Sequence, residues 1–266
     1  MSYGGFLVAR IYTLVNQKGG VGKTTTAINL GAYMAHFGLR VLVVDLDPQA
    51  NATSCLGVDK TTVKGGTYEC LLGSAAAPFI LLNERLKLAL LPSSPALAGA
   101  EVELVEELAR ETRLKKALEP VVSRYDYILV DCPPSLGLLT INGLVAAKDG
   151  VLVPVQCEYL ALEGLGQLTQ TVQRVRSALF PDLKVRGVVL TMFDSRTNLS
   201  TDVVKEVNRH FPGQVFKAII PRSVRLAEAP SYGLPILTYA PTSNGALAFE
   251  AVTRELLKGD GMKVPA

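Results

Sequence analysis

The chain has 266 residues, of which 48% are hydrophobic and 19% charged, a balance typical of a globular protein with a sizeable buried core. No run of about 18 uninterrupted apolar residues occurs, which excludes an apolar membrane-spanning helix, and the first ten residues lack the pattern of a signal peptide. The net charge of +3 excludes no class of partner by itself.

The cysteine spacing limits which metal sites and disulfides the chain can form. Cys55, Cys70, Cys132 and Cys157 show no CxxC spacing, so we expect neither a zinc site nor a disulfide framework. These features together predict a cytoplasmic protein.

The first predicted strand, Ile11–Val15, leads into a glycine-rich loop, and a predicted helix, Thr24–Phe37, follows it. The loop reads KGGVGKTT, which ends like the G-K-[ST] of phosphate-binding loops and carries an additional lysine at its front. Glycines let successive backbone N–H groups point at phosphate oxygens, and the start of the helix adds a positive dipole end. The residues expected to bind the nucleotide are Lys18, Gly19, Gly20, Val21, Gly22, Lys23, Thr24 and Thr25.

Within this loop, two side chains have predicted roles in chemistry. Lys23 is expected to reach the β- and γ-phosphates of ATP, and the Thr24 hydroxyl is expected to ligate Mg²⁺ directly. Lys18 is not needed to build the cradle, so it requires a different role.

Acidic residues follow two later strands. The second predicted strand, Val41–Val44, runs into Asp45 and Asp47, whose spacing puts both side chains on one side of an extended backbone. One of them could support the Mg²⁺ shell while the other orients water. A further strand, Tyr127–Val130, ends at Asp131, which fits an aspartate that holds Mg²⁺ through water and belongs to the nucleotide site.

The other predicted elements alternate along the chain, and residues 54–91 form an irregular surface region. The remaining strands are Val151–Val155, Val185–Leu190, Val215–Ile220 and Ile236–Tyr239. The remaining helices are Ala100–Glu119, Leu136–Ala147, Leu162–Leu179, Leu199–Phe211 and Gly245–Leu257. Short continuous apolar strands suit a sheet covered on both faces. We therefore predict one α/β domain over residues 1–266, with a doubly wound, mostly parallel sheet, helices on both faces and flexible ends at 1–9 and 259–266.

Positive charge is concentrated in one stretch. Between Arg174 and Arg225 ten basic residues stand against four acidic ones, a local charge of +6, which leaves −3 for the rest of the chain. Such a stretch predicts a face that binds anions, although a solvated surface of mixed charge explains the count equally well.

The loop KGGVGKTT, the segment DLDPQ at Asp45, the segment DCPP at Asp131 and the segments after residues 190 and 220 together resemble the ParA/MinD group of P-loop ATPases, in particular the small chromosomal ParA (Soj) type. The resemblance implies that Lys18 reaches the nucleotide of a partner subunit in an ATP-dependent homodimer and acts in catalysis with Lys23. It implies that Asp47 positions the attacking water and leaves Asp45, like Asp131, in the outer Mg²⁺ shell.

The resemblance also implies partners. Pro221 would lie against the adenine, and Arg196 and Arg225 would contact the phosphates of non-specific double-stranded DNA. A ParB-type partner would stimulate hydrolysis during chromosome or plasmid segregation, so we expect a nucleoid-associated protein. The alternatives are a MinD-like, membrane-recruited ATPase and an ATP-gated DNA-binding switch with very slow turnover. The end of the chain, LLKGDGMKVPA, does not have the basic amphipathic pattern that a membrane-binding helix requires, so we expect no stable membrane association.

Overall fold

The computed structural model describes residues 9–158 and 161–264, and for residues 161–165 it describes the backbone alone. The predicted flexible segment 1–9 lies outside this part of the chain except for Ala9, which is buried.

Seven strands form one sheet in the order β3-β4-β2-β5-β1-β6-β7. All neighbouring pairs are parallel except β3 and β4, which are antiparallel. The strands are β1 (Arg10–Leu14), β2 (Val41–Asp45), β3 (Leu81–Asn83), β4 (Leu88–Leu91), β5 (Tyr127–Asp131), β6 (Gly150–Gln156) and β7 (Val185–Thr191). Because β1, β2 and β5 are adjacent, the segments that follow them meet at the same edge of the sheet.

Helices cover both faces of this sheet, which confirms the predicted fold class. In the described ranges they are α1 (Lys23–His36), α2 (Asn51–Cys55), α3 (Thr67–Leu71), α4 (Leu97–Glu103), α5 (Arg113–Leu118), α6 (Leu138–Ala146), α7 (Ala161–Ala178), α8 (Asn198–His210), α9 (Val224–Glu228), α10 (Ile236–Tyr239) and α11 (Asn244–Gly259). Alternate residues of β2 pack on opposite sides: Val43 joins a core with α1 and α11, whereas Val44 joins a core with α3 to α5. A third core lies under α7 and α8.

Two of the predicted strands are wrong. The segment at 215–220 runs beside β7 and makes isolated backbone bonds to it, such as Phe216 N to Val188 O at 3.0 Å. It forms no regular ladder because the Glu255 carboxylate accepts from the backbone N–H of Lys217 and Ala218. The segment Ile236–Tyr239 is helix α10, since a short apolar run does not distinguish a strand from a buried helical turn.

The other differences lie in the first half of the chain. Residues 54–91 are more regular than predicted, with helix α3 and strands β3 and β4. The helix predicted over Ala100–Glu119 is broken after Glu103, and Ala109 adopts a left-handed conformation with φ 54°. At the other end, Gly259 completes α11 and Asp260 is buried, although both were expected in a flexible tail.

Candidate nucleotide site

The glycine-rich loop connects β1 to α1 and curls around an open centre. Gly20 and Gly22 have φ angles of 73° and 88°, a region that favours glycine, and Gly22 caps the first turn of α1. Two side chains from outside the predicted motif fix the loop. The Asn16 Oδ1 accepts from Lys18 N at 3.0 Å, and the Thr191 hydroxyl donates to Val21 O at 2.9 Å. The loop is therefore held in shape by the protein itself.

Lys23 turns inward, in the direction its predicted role requires. It is 6% exposed, and its Nζ donates to the carbonyl oxygen of Lys18 at 3.1 Å. Burial lowers the pKa of Lys23, and the nearby Asp131 and Asp47 partly oppose that effect. An ammonium group that has lost much of its hydration is well prepared to donate to a phosphate oxygen.

Asp131 lies at the end of β5, beside the first turn of α1. Its Oδ2 accepts a hydrogen bond of 2.6 Å from the Thr24 hydroxyl, while its Oδ1 is buried and has no hydrogen-bond partner. Burial and the neighbouring Asp45 raise the pKa of this carboxyl well above its usual range. A hydroxyl beside an incompletely bonded carboxylate is an oxygen donor set suited to Mg²⁺ and its water ligands. The residues therefore fit the ion, which when bound would neutralise phosphate charge.

Asp45 and Asp47 follow β2, and Asp45 pairs in register with Asp131. The Oδ2 of Asp45 accepts from Thr53 N and Thr53 Oγ1, both at 2.7 Å, and its Oδ1 accepts from Asp47 N at 3.2 Å. Burial raises the pKa of Asp45 to about 6. Asp47 is held differently, since its Oδ1 accepts from Gln49 N at 2.9 Å and no described residue donates to its Oδ2. Asp45 thus organises the loop, and Asp47 keeps one carboxylate oxygen available.

Pro221 lies at the other side of the loop. It lines a cavity of about 230 Å³ together with Gly22, Thr25 and Thr191. The mixed apolar and hydroxyl lining is suited to a nucleoside next to the phosphate cradle. The structure therefore brings together the loop, the three aspartates and Pro221.

Neither of the two predicted DNA-binding arginines lines the cavity beside Pro221. Arg196 is 83% exposed at its side chain and forms a two-point ion pair with Asp194, at 2.9 and 2.7 Å. Arg225 is 61% exposed and donates to Glu228 at 3.1 Å. Arg196 shares a cavity of about 520 Å³ with Lys18.

Comparison with known proteins identifies the family. The family model described as an AAA domain matches residues 9–185. The chain is 53% identical over 259 residues to the chromosome partitioning protein ParA of Myxococcus xanthus, covering 97% of this chain and 91% of the relative. It is 52% identical over 250 residues to the sporulation initiation inhibitor protein Soj of Bacillus subtilis, covering 94% and 98%. The chain belongs to the ParA/Soj family of P-loop ATPases.

Solved structures agree with this assignment. A structure of cobyrinic acid a,c-diamide synthase from Mycobacterium smegmatis, with bound ATP analogue and magnesium, is 39% identical with a TM-score of 0.84 over 97% of this chain and 99% of its own. McdA of Cyanothece in complex with ATP aligns with a TM-score of 0.86 over 98% and 100%, and its 22% identity shows the shared fold alone.

This ParA/Soj family member is a partitioning-type ATPase that uses ATP and Mg²⁺, in agreement with the loop and the Asp131 arrangement. The described helices include none that is both long and apolar enough to span a membrane.

Sequence reasoning did not single out four polar residues that shape this ParA/Soj site. Asn16 and Thr191 hold the loop, while Thr53 and Ser93 hold the aspartates. Thr191 and Ser93 come just at or after the ends of β7 and β4. The rule that ligands gather at the carboxyl ends of parallel strands could have found these two. Ser93 was missed because the strand before it, β4, falls in residues 54–91, which the sequence predicts to be irregular.

Proposed function

We propose that this chain moves DNA through an ATP-dependent dimer cycle. Two copies pair around their nucleotides, the pair binds double-stranded DNA without sequence preference, and a ParB-type partner stimulates hydrolysis, which separates the copies. The protein is then associated with the nucleoid while ATP is bound. The single observation that carries the proposal is the position of Lys18 at the mouth of the phosphate loop.

Lys18 carries a positive charge that no interaction within the described part of its own chain uses. Lys23 is already turned into the cradle, whereas the Lys18 ammonium makes no hydrogen bond or ion pair with any described residue. It lines the open 520 Å³ cavity beside the loop. A second copy facing this mouth would offer its phosphates to that free cation, which would also stabilise negative charge as the terminal phosphate departs.

The two arginines suit a surface that binds DNA phosphates only when a dimer presents two copies of it. Arg196 and Arg225 are exposed, and each is held by an acid two or three residues away in sequence. Exposed ion pairs of this kind are screened by solvent and contribute little, so DNA phosphates can compete for both guanidinium groups. One copy offers few such contacts, while two linked copies bind with higher effective affinity.

In the proposed cycle, Asp47 is the residue that orients water for hydrolysis. Gln49 N fixes one carboxylate oxygen, and the other receives no donor from the described residues. That oxygen could orient a water molecule toward the terminal phosphate and accept its proton. Asp47→Ala should therefore trap ATP dimers on DNA, whereas the wild-type protein leaves DNA as ATP is consumed.

The alternative is a MinD-like, membrane-recruited ATPase. In the described chain, α11 packs its apolar face, including Phe249 and Val252, against the core that contains α1. That helix is not free to insert in a lipid surface, so the DNA-directed proposal is favoured.

The testing experiment measures binding to a random-sequence duplex with ATP or ADP at one fixed salt concentration, with mass measured in parallel by light scattering. We expect ATP-dependent dimers that bind DNA. Lys18→Ala should bind ATP yet remain monomeric, and Arg196→Glu should dimerise yet lose most of its DNA affinity. Arg85→Glu, an exposed charge reversal outside the basic stretch, is the matched control and should behave as wild type.

Two results would overturn the proposal. A Lys18→Ala monomer that still binds DNA with ATP would contradict the dimer cycle. ATP-dependent dimers that ignore DNA but bind vesicles containing anionic lipid would support the membrane alternative.

A further inference from the structure

The loop that carries Asp47 is fixed by its backbone as well as by its side chain. The carbonyl oxygen of Asp47 accepts two hydrogen bonds, from Ala50 N and from the Ser93 hydroxyl, both at 2.8 Å. Ser93 follows strand β4, is 1% exposed, and lies 46 residues from Asp47 in sequence. A neighbouring strand therefore anchors the candidate hydrolytic residue through one buried hydroxyl.

The same serine also belongs to a buried chain of hydrogen bonds. Its backbone N–H donates to Thr53 Oγ1 at 2.9 Å, and Thr53 Oγ1 donates to Asp45 Oδ2 at 2.7 Å. Thr53 has no exposed surface, and its own backbone N–H also donates to Asp45. These hydrogen bonds form a ring around the segment from Asp45 to Asp47, in which Thr53 holds Asp45 and Ser93 holds Asp47.

We infer that Ser93 is a positioning residue for ATP hydrolysis, acting through Asp47. The inference rests on the role of Asp47 in the proposed function. Ser93 does not line either cavity beside the phosphate loop, so its effect passes through the Asp47 backbone. Since a misplacement of about 1 Å in a catalytic group can cost a large factor in rate, a loop held by two donors keeps the carboxylate where it is useful.

The test separates rate from binding. Ser93→Ala removes the hydroxyl and leaves the backbone N–H bond to Thr53. We expect kcat to fall roughly five- to tenfold, the effect of losing about one buried hydrogen bond in the transition state, while KM for ATP and the affinity for a fluorescent ATP analogue stay within about twofold. Ser93→Cys places a larger and weaker donor at the same position, so its kcat should lie between those of the wild type and Ser93→Ala.

Ser94→Ala is the matched control, because Ser94 is the next residue and its side chain makes no hydrogen bond with the described residues. A merely structural Ser93 would lower the melting temperature of Ser93→Ala while leaving kcat unchanged well below that temperature. That result would overturn the inference.

A double substitution distinguishes this inference from the assignment beneath it. If Ser93 acts through Asp47, then Ser93→Ala should cause no further loss of the residual single-turnover rate in an Asp47→Asn background. Independent, multiplicative losses would contradict the inference. If Asp47→Asn alone turns over like wild type, the assignment of Asp47 fails. If Asp47→Asn is inactive and Ser93→Ala is fully active, only the role of Ser93 fails.

Discussion

The two ends of the sheet each bury an aspartate, and they treat its oxygens in opposite ways. At the carboxyl ends of the strands, Asp131 accepts from Thr24 on one oxygen and leaves the other buried without a partner. Near the amino ends, Asp260 accepts from Tyr12, Tyr127 and Arg186 at 2.8 to 3.0 Å. One carboxylate is left incomplete, and the other is surrounded by donors.

This difference distinguishes a ligand-binding carboxylate from a structural one. Buried polar atoms in folded proteins nearly always have partners, so an orphaned one indicates a ligand that completes it. The Asp260 cluster instead joins the end of α11 to β1, β5 and β7, and its bonds are made by the chain itself. Burial and Asp260 raise the pKa of Tyr12, which keeps the phenol protonated as a donor. We expect substitutions at the first end to affect turnover and those at the second to affect stability.

The largest expected effect is at Asp260. Asp260→Ala leaves the Arg186 guanidinium and two phenols without their buried acceptor, which should lower the free energy of unfolding by about 3 to 5 kcal/mol. Chemical denaturation measures the change, and nucleotide affinity of the folded fraction should stay close to wild type. Asp202→Ala, which removes an exposed carboxylate on α8, is the control and should change stability by less than about 1 kcal/mol. A stable but inactive Asp260→Ala protein would break the comparison.

The converse effect is at Lys23. Lys23→Ala should reduce ATP turnover by about 10² to 10³-fold, because the cation expected at the terminal phosphates is lost. Its unfolding free energy without nucleotide should change less than that of Asp260→Ala, since burial already disfavours the Lys23 charge. ATPase assays and denaturation on the same preparation measure both quantities. Lys116→Ala on the exposed side of α5 provides the lysine control, and equal loss of activity there would contradict the assignment.

A smaller effect should appear as pH dependence without nucleotide and with chelator present. The pKa of Asp45 rises from 3.8 in its unperturbed state to about 6 in the fold, so the native state binds more protons than the unfolded chain between those values. Stability should therefore fall as pH rises from about 4 to 6, by about 1 to 3 kcal/mol, and Asp131 contributes in the same direction.

Denaturation midpoints at pH 4 and pH 6 measure this effect. Asp45→Asn should reduce the slope, and a stability that rises across this window would show that the buried carboxylates are compensated by other means. The paired acids with lowered pKa, such as Asp126, act in the opposite direction but at lower pH.

The sequence predicted the positions of the phosphate loop and of the nearby strand ends better than the rest of the fold, for a physical reason. Glycine, lysine and hydroxyl residues at fixed spacing after a strand have few structural uses apart from binding phosphate. The positions of the acids after β2 and β5 were likewise predicted, because strand ends are visible as ends of apolar runs. The local conformation there is set by nearby residues, so a short window of sequence contains most of the information.

The features that sequence reasoning missed depend on contacts distant in the chain. The Glu255 carboxylate accepts from the backbone N–H of Lys217, so an apolar run that resembles a strand does not form a regular one. Asp260 reaches Tyr12 across 248 positions, so a polar tail expected to fray is anchored at its start. Ser93 meets Asp47 only because β4 lies beside β2. None of these partners is visible from spacing.

The smallest effect tests how complete the Asp260 cluster is. Tyr12→Phe removes one donor to Asp260 Oδ1, but that oxygen keeps the two nitrogen donors of Arg186, at 3.0 and 2.8 Å. We expect a loss of about 0.5 to 1 kcal/mol in unfolding free energy. Tyr127→Phe removes a donor from the other oxygen, Oδ2, which no Arg186 nitrogen contacts, so it should cost more. Equal losses would mean that the donors on Oδ1 are not redundant, and an unchanged ATPase rate in both variants would keep the cluster apart from the chemistry.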